Sequence, residues 1–260
     1  DQHSMKITIA PDRHGMGKAA ADQAAAILRK CLAENGSARL VVATGSSQFE
    51  VLKALTSDPQ LDWTRIDGFH LDEYIGLPSS HPASFCGYLK QRLVDRVPIR
   101  SFFYLDGTRD PETVCREASE RIAERPIDVA LIGIGENGHL AFNDPPADFQ
   151  TRAAYHRVEL DEACRRQQVG EGWFDSLEQV PTHAISMTIH QILQSKELIC
   201  SVPDRRKAEA VHNALEGPIS ANCPASILQQ HPSVHLYLDR GSSELLDARL
   251  HVSATQLLGE

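Results

Sequence analysis

Short apolar runs alternate with helical patterns along nearly the whole chain, and this alternation constrains the fold more than any other feature. The apolar runs lie at residues 6–10, 39–43, 66–71, 101–105, 127–134, 184–188, 197–202 and 233–239, and the clearest helical patterns lie at 16–35, 47–55, 84–95, 111–124 and 204–216. Runs that are apolar throughout are typical of parallel strands buried on both faces. Parallel strands need crossover connections, so we predict an α/β fold: a three-layer, Rossmann-like sandwich with a mostly parallel central sheet.

The 260 residues are predicted to form one domain, 1–260, because α/β folds of this size often form a single unit. Residues 1–4 are interpreted as the remnant of a tag before a native Met5. Residues 142–182 are the least regular part of the chain and are rich in Pro, Gly and Gln. This stretch could form a lid over a binding site.

Charge and composition exclude several functions. The formal net charge is -9, whereas a nucleic-acid-binding protein needs a basic face. No apolar run reaches the roughly 18–20 residues of a membrane helix. Neither nucleic acid nor a membrane is therefore expected as a partner. The six cysteines form no CxxC pair, and we interpret them as reduced thiols of a cytoplasmic protein.

The loop after the run at 39–43 is the first candidate site, because ligands of open α/β sheets bind beyond the carboxyl ends of strands. Its sequence is Thr44-Gly45-Ser46-Ser47, followed by a helical pattern. A glycine turn into a helix start offers unpaired N–H groups and hydroxyls to an anion. No Walker A lysine follows. The loop is either a phosphate site or an ordinary turn with a serine cap, and both interpretations stay open.

Two adjacent carboxylates, Asp72 and Glu73, follow the run at 66–71. Neighbouring residues of a strand face opposite sides, so we do not expect the two to share a pocket. One could act as a base while the other has a structural role. The alternative is a solvated acidic turn with no function.

A Gly-rich loop, Gly133-Ile134-Gly135-Glu136-Asn137-Gly138-His139, follows the longest apolar run. Its glycines match GxGxxG, but Pro145 and Pro146 block the helix that a dinucleotide site requires. We interpret the loop as one that brings the backbone close to a ligand and presents His139. A carboxylate partner such as Asp144 would fix the tautomer of this histidine for acid and base catalysis near neutral pH.

In these segments the chain resembles the glucosamine-6-phosphate deaminases, within the glucosamine/galactosamine-6-phosphate isomerase family. The matching motifs are Phe69-His70-Leu71-Asp72-Glu73-Tyr74-Ile75-Gly76-Leu77-Pro78, with His81-Pro82 and Ser84 after it, and Gly133-Ile134-Gly135-Glu136-Asn137-Gly138-His139-Leu140-Ala141-Phe142-Asn143-Asp144-Pro145. The resemblance extends from about residue 40 to 240. The related 6-phosphogluconolactonases continue their histidine loop toward Ala-Ser-Leu-Phe-Pro, which this chain lacks.

The resemblance implies that glucosamine 6-phosphate and water are converted to fructose 6-phosphate and ammonia. Asp72 would be the base that moves a proton from carbon 2 to carbon 1 through an enolamine. His139, oriented by Asp144, would open the pyranose ring. Asn137 occupies the position beside that histidine where the family has Asp or Asn.

The resemblance also implies a phosphate site formed by Gly45, Ser46 and Ser47 together with Lys207. It implies no metal and no organic cofactor, because the carbonyl or imine of the substrate serves as the electron sink. The partner would be a small-molecule sugar phosphate, and homo-oligomerisation stays open. His231 and His235 are four residues apart, but no third ligand lies nearby in the sequence, so a metal pair is not expected there.

Two departures from the family pattern concern the site. The family usually has Glu where this chain has Asp144, which is one methylene shorter. Gly172 stands at the apparent match of a second phosphate-binding arginine, with Arg165 and Arg166 nearby but not aligned. The alternatives are therefore a deaminase of an epimeric amino-sugar phosphate, a lactonase-like hydrolase, and a sugar-phosphate sensor without catalysis.

Overall fold

The computed structural model describes residues 5–259, so the interpretation of residues 1–4 as a tag remnant lies outside it. The strands are β1 Lys6–Ala10, β2 Ala38–Val42, β3 Ile66–His70, β4 Asp72–Tyr74, β5 Ser101–Phe103, β6 Val129–Ile132, β7 Tyr155–Glu159, β8 His183–Met187, β9 Glu197–Val202, β10 Val234–Asp239 and β11 Thr255–Gln256. The α-helices are α1 Arg13–Asn35, α2 Phe49–Thr56, α3 Phe85–Leu89, α4 Pro111–Ile122, α5 Glu162–Gly170, α6 Ile189–Leu193, α7 Ala208–Glu216 and α8 Ala248–Ser253.

Eight strands form a central sheet in the order β11-β1-β10-β9-β6-β2-β3-β5. Every pair of neighbours in this sheet is parallel. The α/β fold with a parallel central sheet is therefore confirmed. β1 and β9 coincide with the predicted runs at 6–10 and 197–202, and a proline follows each of the two strands.

Both faces of the central sheet are covered, which confirms the three-layer sandwich. On β2, Leu40 and Val42 pack in a cluster with the buried sides of α1 and α2. Val41, which points the opposite way, belongs to a cluster with the buried sides of α4 and α7. The alternation of side chains along a strand explains this division.

A second, antiparallel sheet of three strands, β4-β8-β7, lies beside the central one. The run at 184–188 belongs to it rather than to the parallel sheet. The stretch 142–182 is also more regular than the sequence suggested, since it contains β7 and α5. α5 escaped detection because its sequence, EACRRQQVG, carries almost no apolar periodicity.

The helical pattern at 84–95 corresponds to α3 followed by a π-helical turn over Lys90–Val94. Ser84 caps α3, since its side chain accepts a hydrogen bond from the Gly87 amide. Within residues 5–259, no helix is both long and apolar enough to cross a bilayer.

Candidate active site

β2 and β6 are neighbours in the central sheet, but the chain leaves them in opposite directions: β2 leads to β3, and β6 leads toward β9. Ligands bind at such a switch point, beyond the carboxyl ends of the strands. A cleft opens here and collects six of the eight predicted site residues. These six are Gly45, Ser46, Ser47, Asp72, His139 and Lys207. Asn137 and Asp144 do not line the cleft.

The loop after β2 holds Gly45 at φ 99 and ψ 172, a backbone conformation that favours glycine. A single 3₁₀ turn over Ser46–Gln48 then leads into α2. The helix therefore begins at Phe49, two residues later than the sequence predicted. The loop still presents its serines and the start of a helical segment to the cleft, as an anion site requires.

Asp72 is the first residue of β4 and lines the cleft, although its side chain is only 6% exposed. Burial raises the pKa of its carboxyl well above the ordinary value, and the charge of Glu73 adds to the increase. A carboxylate with a raised pKa is a stronger base at neutral pH than an exposed one.

Glu73 points away from the cleft and holds the start of α3. Its carboxylate accepts hydrogen bonds from the amides of Tyr74 (2.8 Å), Phe85 (3.1 Å) and Cys86 (2.8 Å) and from the Ser84 hydroxyl (3.0 Å). The prediction that the two acids do not share a pocket is confirmed. The alternative of a solvated acidic turn is wrong, because both side chains are buried.

The Gly-rich loop after β6 is shaped around His139. A Cβ atom at Gly135 would lie 2.2 Å from His139 Nε2, so only glycine leaves room for the ring. The Gly135 amide also donates a hydrogen bond of 3.0 Å to the His139 carbonyl. No helix opens at this loop between Gly133 and β7, so the GxGxxG match lacks the helix start that a dinucleotide motif requires.

Asp144 lies behind His139, as the sequence predicted. Its Oδ1 is 3.2 Å from His139 Nδ1, but the two groups are not aligned for a hydrogen bond. The same carboxylate accepts from Asn137 Nδ2 (3.1 Å) and from the Asp161 amide (2.8 Å). Burial opposes ionisation of Asp144, yet the contacts with His139, Asp161 and Asn137 lower its pKa, so it stays charged.

Asn137 connects the histidine loop to its carboxylate partners. Its Oδ1 accepts a hydrogen bond of 3.0 Å from the His139 amide, while its Nδ2 contacts both Asp144 and Asp161. Asn137 therefore supports the position of His139 from outside the cleft.

Lys207 reaches the cleft from the 3₁₀ turn Arg205–Lys207, which follows β9. Its ammonium group donates a hydrogen bond of 2.8 Å to the carbonyl oxygen of Ile134. Burial lowers the pKa of this lysine, and the charges of Glu171 and Glu136 oppose that decrease. The lysine thus joins the loops after β6 and β9 and places a positive charge at the cleft.

The opposite wall of the cleft comes from α5 and was not predicted from the sequence. Gln167, Gln168 and Glu171 line the cleft, and both glutamines are buried. The Glu136 amide donates a hydrogen bond of 2.7 Å to Gln167 Oε1, which ties this wall to the histidine loop. The sequence offered one signal for this wall. Gln167 and Gln168 lie close to Gly172, the apparent match of the family's second phosphate-binding arginine.

Among residues 5–259, no arginine lines the cleft. Arg165 donates instead to the carbonyl oxygens of Leu177 and Val180, and Arg166 pairs with Glu162 on the surface. Gly172 follows α5 at φ 86 and does not line the cleft either.

Within residues 5–259, two groups of side chains have the proximity of metal ligands. In the group His70, Glu73 and Cys86, His70 Nδ1 accepts from the Leu105 amide and Glu73 caps α3. In the group His139, Asp144 and Cys164, burial raises the pKa of the Cys164 thiol well above its ordinary value. His235 pairs with Glu197 at 3.0 Å, in agreement with a structural role.

The fold places this chain among Rossmann-like α/β proteins that bind a small ligand at the carboxyl edge of a parallel sheet. Comparison with known proteins then gives its family. The chain belongs to the family of glucosamine-6-phosphate isomerases and 6-phosphogluconolactonases, whose model matches residues 11–236. The resemblance predicted from the sequence motifs is confirmed.

Within this family the chain is similar to glucosamine-6-phosphate deaminases. A deaminase of Lactobacillus delbrueckii subsp. bulgaricus is 35% identical over 243 residues, which cover 93% of this chain and all of the relative. A deaminase of Streptococcus pneumoniae is 36% identical over 222 residues, or 85% of this chain and 92% of the relative.

The solved structure of a monomeric glucosamine-6-phosphate deaminase superposes with a TM-score of 0.84 at 33% identity, over 93% of this chain and all of that one. A 6-phosphogluconolactonase of Trypanosoma brucei superposes with a TM-score of 0.79 at 14% identity, over 95% of this chain and all of that one. The second likeness shows the shared fold alone.

Proposed function

We propose that this protein isomerises and deaminates glucosamine 6-phosphate, with fructose 6-phosphate and ammonia as products. The single observation that carries the proposal is the placement of Asp72. A buried carboxylate with a raised pKa faces the same cleft as His139 and Lys207. Proton transfer between two carbons needs such a base, whereas lactone hydrolysis needs only a histidine that activates water.

The first step is opening of the pyranose ring. His139 moves a proton to or from the ring oxygen, and Asp144, whose Oδ1 lies 3.2 Å from His139 Nδ1, orients the imidazole. Ring opening produces an aldehyde at carbon 1, which makes the proton on carbon 2 acidic. Removal of that proton requires no metal, since the aldehyde itself accepts the electrons.

The second step is the transfer of a proton from carbon 2 to carbon 1. Asp72 removes the carbon-2 proton to give an enolamine and returns it to carbon 1, which leaves an imine at carbon 2. Water adds to that imine, ammonia leaves, and the ketone of fructose 6-phosphate remains. The overall reaction is therefore a hydrolytic deamination coupled to an aldose–ketose isomerisation.

The phosphate group is proposed to bind at the Gly45-Ser46-Ser47 loop and Lys207. Backbone amides, serine hydroxyls and one buried ammonium group are the donors that a phosphate needs. Gln167 and Gln168 would cover the sugar from the side of α5, in keeping with a lid formed by part of 142–182. A small soluble substrate and a chain rich in unpaired thiols fit a protein that works in the cytoplasm.

The test is the release of ammonia and fructose 6-phosphate from glucosamine 6-phosphate by the purified protein, with and without chelator. Stoichiometric release of both products at unchanged rate with chelator is expected. Hydrolysis of 6-phosphogluconolactone without ammonia release would identify a lactonase instead. Release from an epimeric amino-sugar phosphate alone would change the substrate, and binding without any turnover would identify a sensor.

A further inference from the structure

Tyr88 is a buried tyrosine of α3 that takes no part in the mechanism above. Its hydroxyl donates a hydrogen bond of 3.0 Å to the carbonyl oxygen of Gly45, in the loop after β2. The residue is only 7% exposed, and burial raises the pKa of its hydroxyl, so the group stays a protonated donor. A buried hydroxyl thus holds one specific carbonyl of the loop.

The direction of that carbonyl decides where the next amide points. A trans peptide unit is planar, with its C=O and N–H directed to opposite sides. Gly45 and Ser46 line the cleft, whereas Tyr88 does not, so Tyr88 holds the Gly45 oxygen on the far side of the loop. The Ser46 N–H is thereby turned toward the cleft. The Gln48 amide donates to the same oxygen at 3.1 Å and reinforces this orientation.

The ring of Tyr88 is itself held on several sides. Phe49 stacks on it with ring centroids 5.7 Å apart, and the Arg92 guanidinium lies 5.1 Å from its centroid. Trp173, just beyond α5, meets the ring edge-on at 6.3 Å. The hydroxyl is therefore fixed in space rather than free to rotate away from Gly45.

We propose that Tyr88 is a positioning residue for phosphate binding: it turns the Gly45–Ser46 peptide so that an amide, and not a carbonyl oxygen, meets the phosphate of the ligand. The inference rests on the phosphate site of the proposed function and deepens it. The alternative orientation would point a carbonyl lone pair at an anion, which is repulsive.

Tyr88→Phe tests the inference because it keeps the ring and removes only the hydroxyl. KM for glucosamine 6-phosphate and the Kd of inorganic phosphate, measured by calorimetry, should both rise about three- to tenfold, the size of one lost hydrogen bond. kcat should stay within about twofold, since no catalytic group moves. The matched control is Tyr104→Phe, because the half-buried Tyr104 has no hydrogen bond from its hydroxyl within residues 5–259 and lies outside the cleft.

Unchanged KM and phosphate affinity in Tyr88→Phe would overturn the inference. A fall in kcat at constant KM, or an equal effect in Tyr104→Phe, would also overturn it, since either outcome would indicate a general structural role. The phosphate titration does not depend on turnover. If the unaltered protein released no ammonia, the proposed function would fail, and the titration would still decide the role of Tyr88.

Discussion

The two walls of the cleft differ in how they are built. One wall consists of the loops after β2, β6 and β9 and the start of β4, and it carries the charged groups Asp72, His139 and Lys207. The other is the helix α5, which contributes two amides, together with Glu171 directly after it. The strands behind the first wall are almost fully buried, whereas α5 is mostly polar. The comparison teaches that the groups proposed for the chemistry lie on or directly beyond buried strands, whereas the two amides lie on a mostly polar helix.

Asp144 connects the two walls. One of its oxygens lies beside His139, and the other accepts from the amide of Asp161, which caps the start of α5. The orientation of the histidine and the position of the helix thus depend on the same carboxylate. Separating the two walls by mutation therefore needs residues that touch only one of them.

The largest effect is expected from Asp72→Asn on the strand wall. Turnover should fall about 10²- to 10⁴-fold, because Asn cannot accept the carbon-2 proton. Binding of fructose 6-phosphate, measured by calorimetry, should be retained. The adjacent change Glu73→Gln is the control. It should lower the unfolding temperature, since an amide cannot accept all four hydrogen bonds at the start of α3.

Asp72→Asn should also raise the unfolding temperature at neutral pH. The folded state raises the pKa of Asp72, so ionisation of this group costs stability above its unfolded pKa. Asn removes that cost. The difference between the two proteins should vanish as the pH falls below about 4. Equal unfolding temperatures at pH 7 would show that the burial of Asp72 carries no such cost.

Lys207→Met comes next and should raise KM about 10- to 100-fold with a smaller change in kcat. A charge-assisted contact to phosphate is worth about 1.5–3 kcal/mol, and Met keeps the apolar stem of the side chain. Steady-state kinetics with glucosamine 6-phosphate measure the effect. An unchanged KM would place the phosphate elsewhere in the cleft, on the side of α5.

The pH profile tests the raised pKa of Asp72. As the pH falls through that pKa, the base becomes protonated, so kcat/KM should fall about tenfold per pH unit. This decline should begin at a higher pH than the ordinary carboxyl pKa of about 4. A profile that is flat down to pH 5, with the protein still folded, would contradict the assignment of Asp72 as the base.

Asp144→Asn should lower kcat about tenfold, because the carboxylate that lies beside His139 Nδ1 and orients the imidazole is lost. The amide oxygen can still accept from Asp161, so α5 should keep its place. Circular dichroism and the unfolding temperature check the second point. An effect on KM alone would mean that Asp144 holds α5 in position and does not assist His139.

The smallest effect is expected on the α5 wall itself. Gln168→Ala should raise KM about threefold, the loss of one neutral hydrogen bond to the sugar, and leave kcat unchanged. Gln229→Ala is a suitable control, since Gln229 lies outside the cleft and, within residues 5–259, its side chain donates only to the Ala214 and Gly217 carbonyls. A fall in kcat comparable to that of Asp144→Asn would show that the α5 wall also contributes to the chemical steps.

The sequence by itself determined the parallel α/β sheet and the strand wall of the cleft. Buried parallel strands must be apolar throughout, and their loops must meet at one edge, so local patterns sufficed to find Gly45, Asp72 and His139. The separation of Asp72 from Glu73 also followed from alternation along a strand. These features depend on residues that are close in the chain.

Only the tertiary structure decided the α5 wall, the second sheet and the hydrogen bonds of Asp144 with Asn137 and Asp161. The buried residues of α5 are Cys164, which packs in an apolar cluster, and Gln167 and Gln168, which line the cleft, so the helix leaves no periodic apolar pattern. The hydrogen bond from Tyr88 to Gly45 joins residues 43 positions apart. Such contacts depend on how separate elements pack, and no local pattern of residues specifies them.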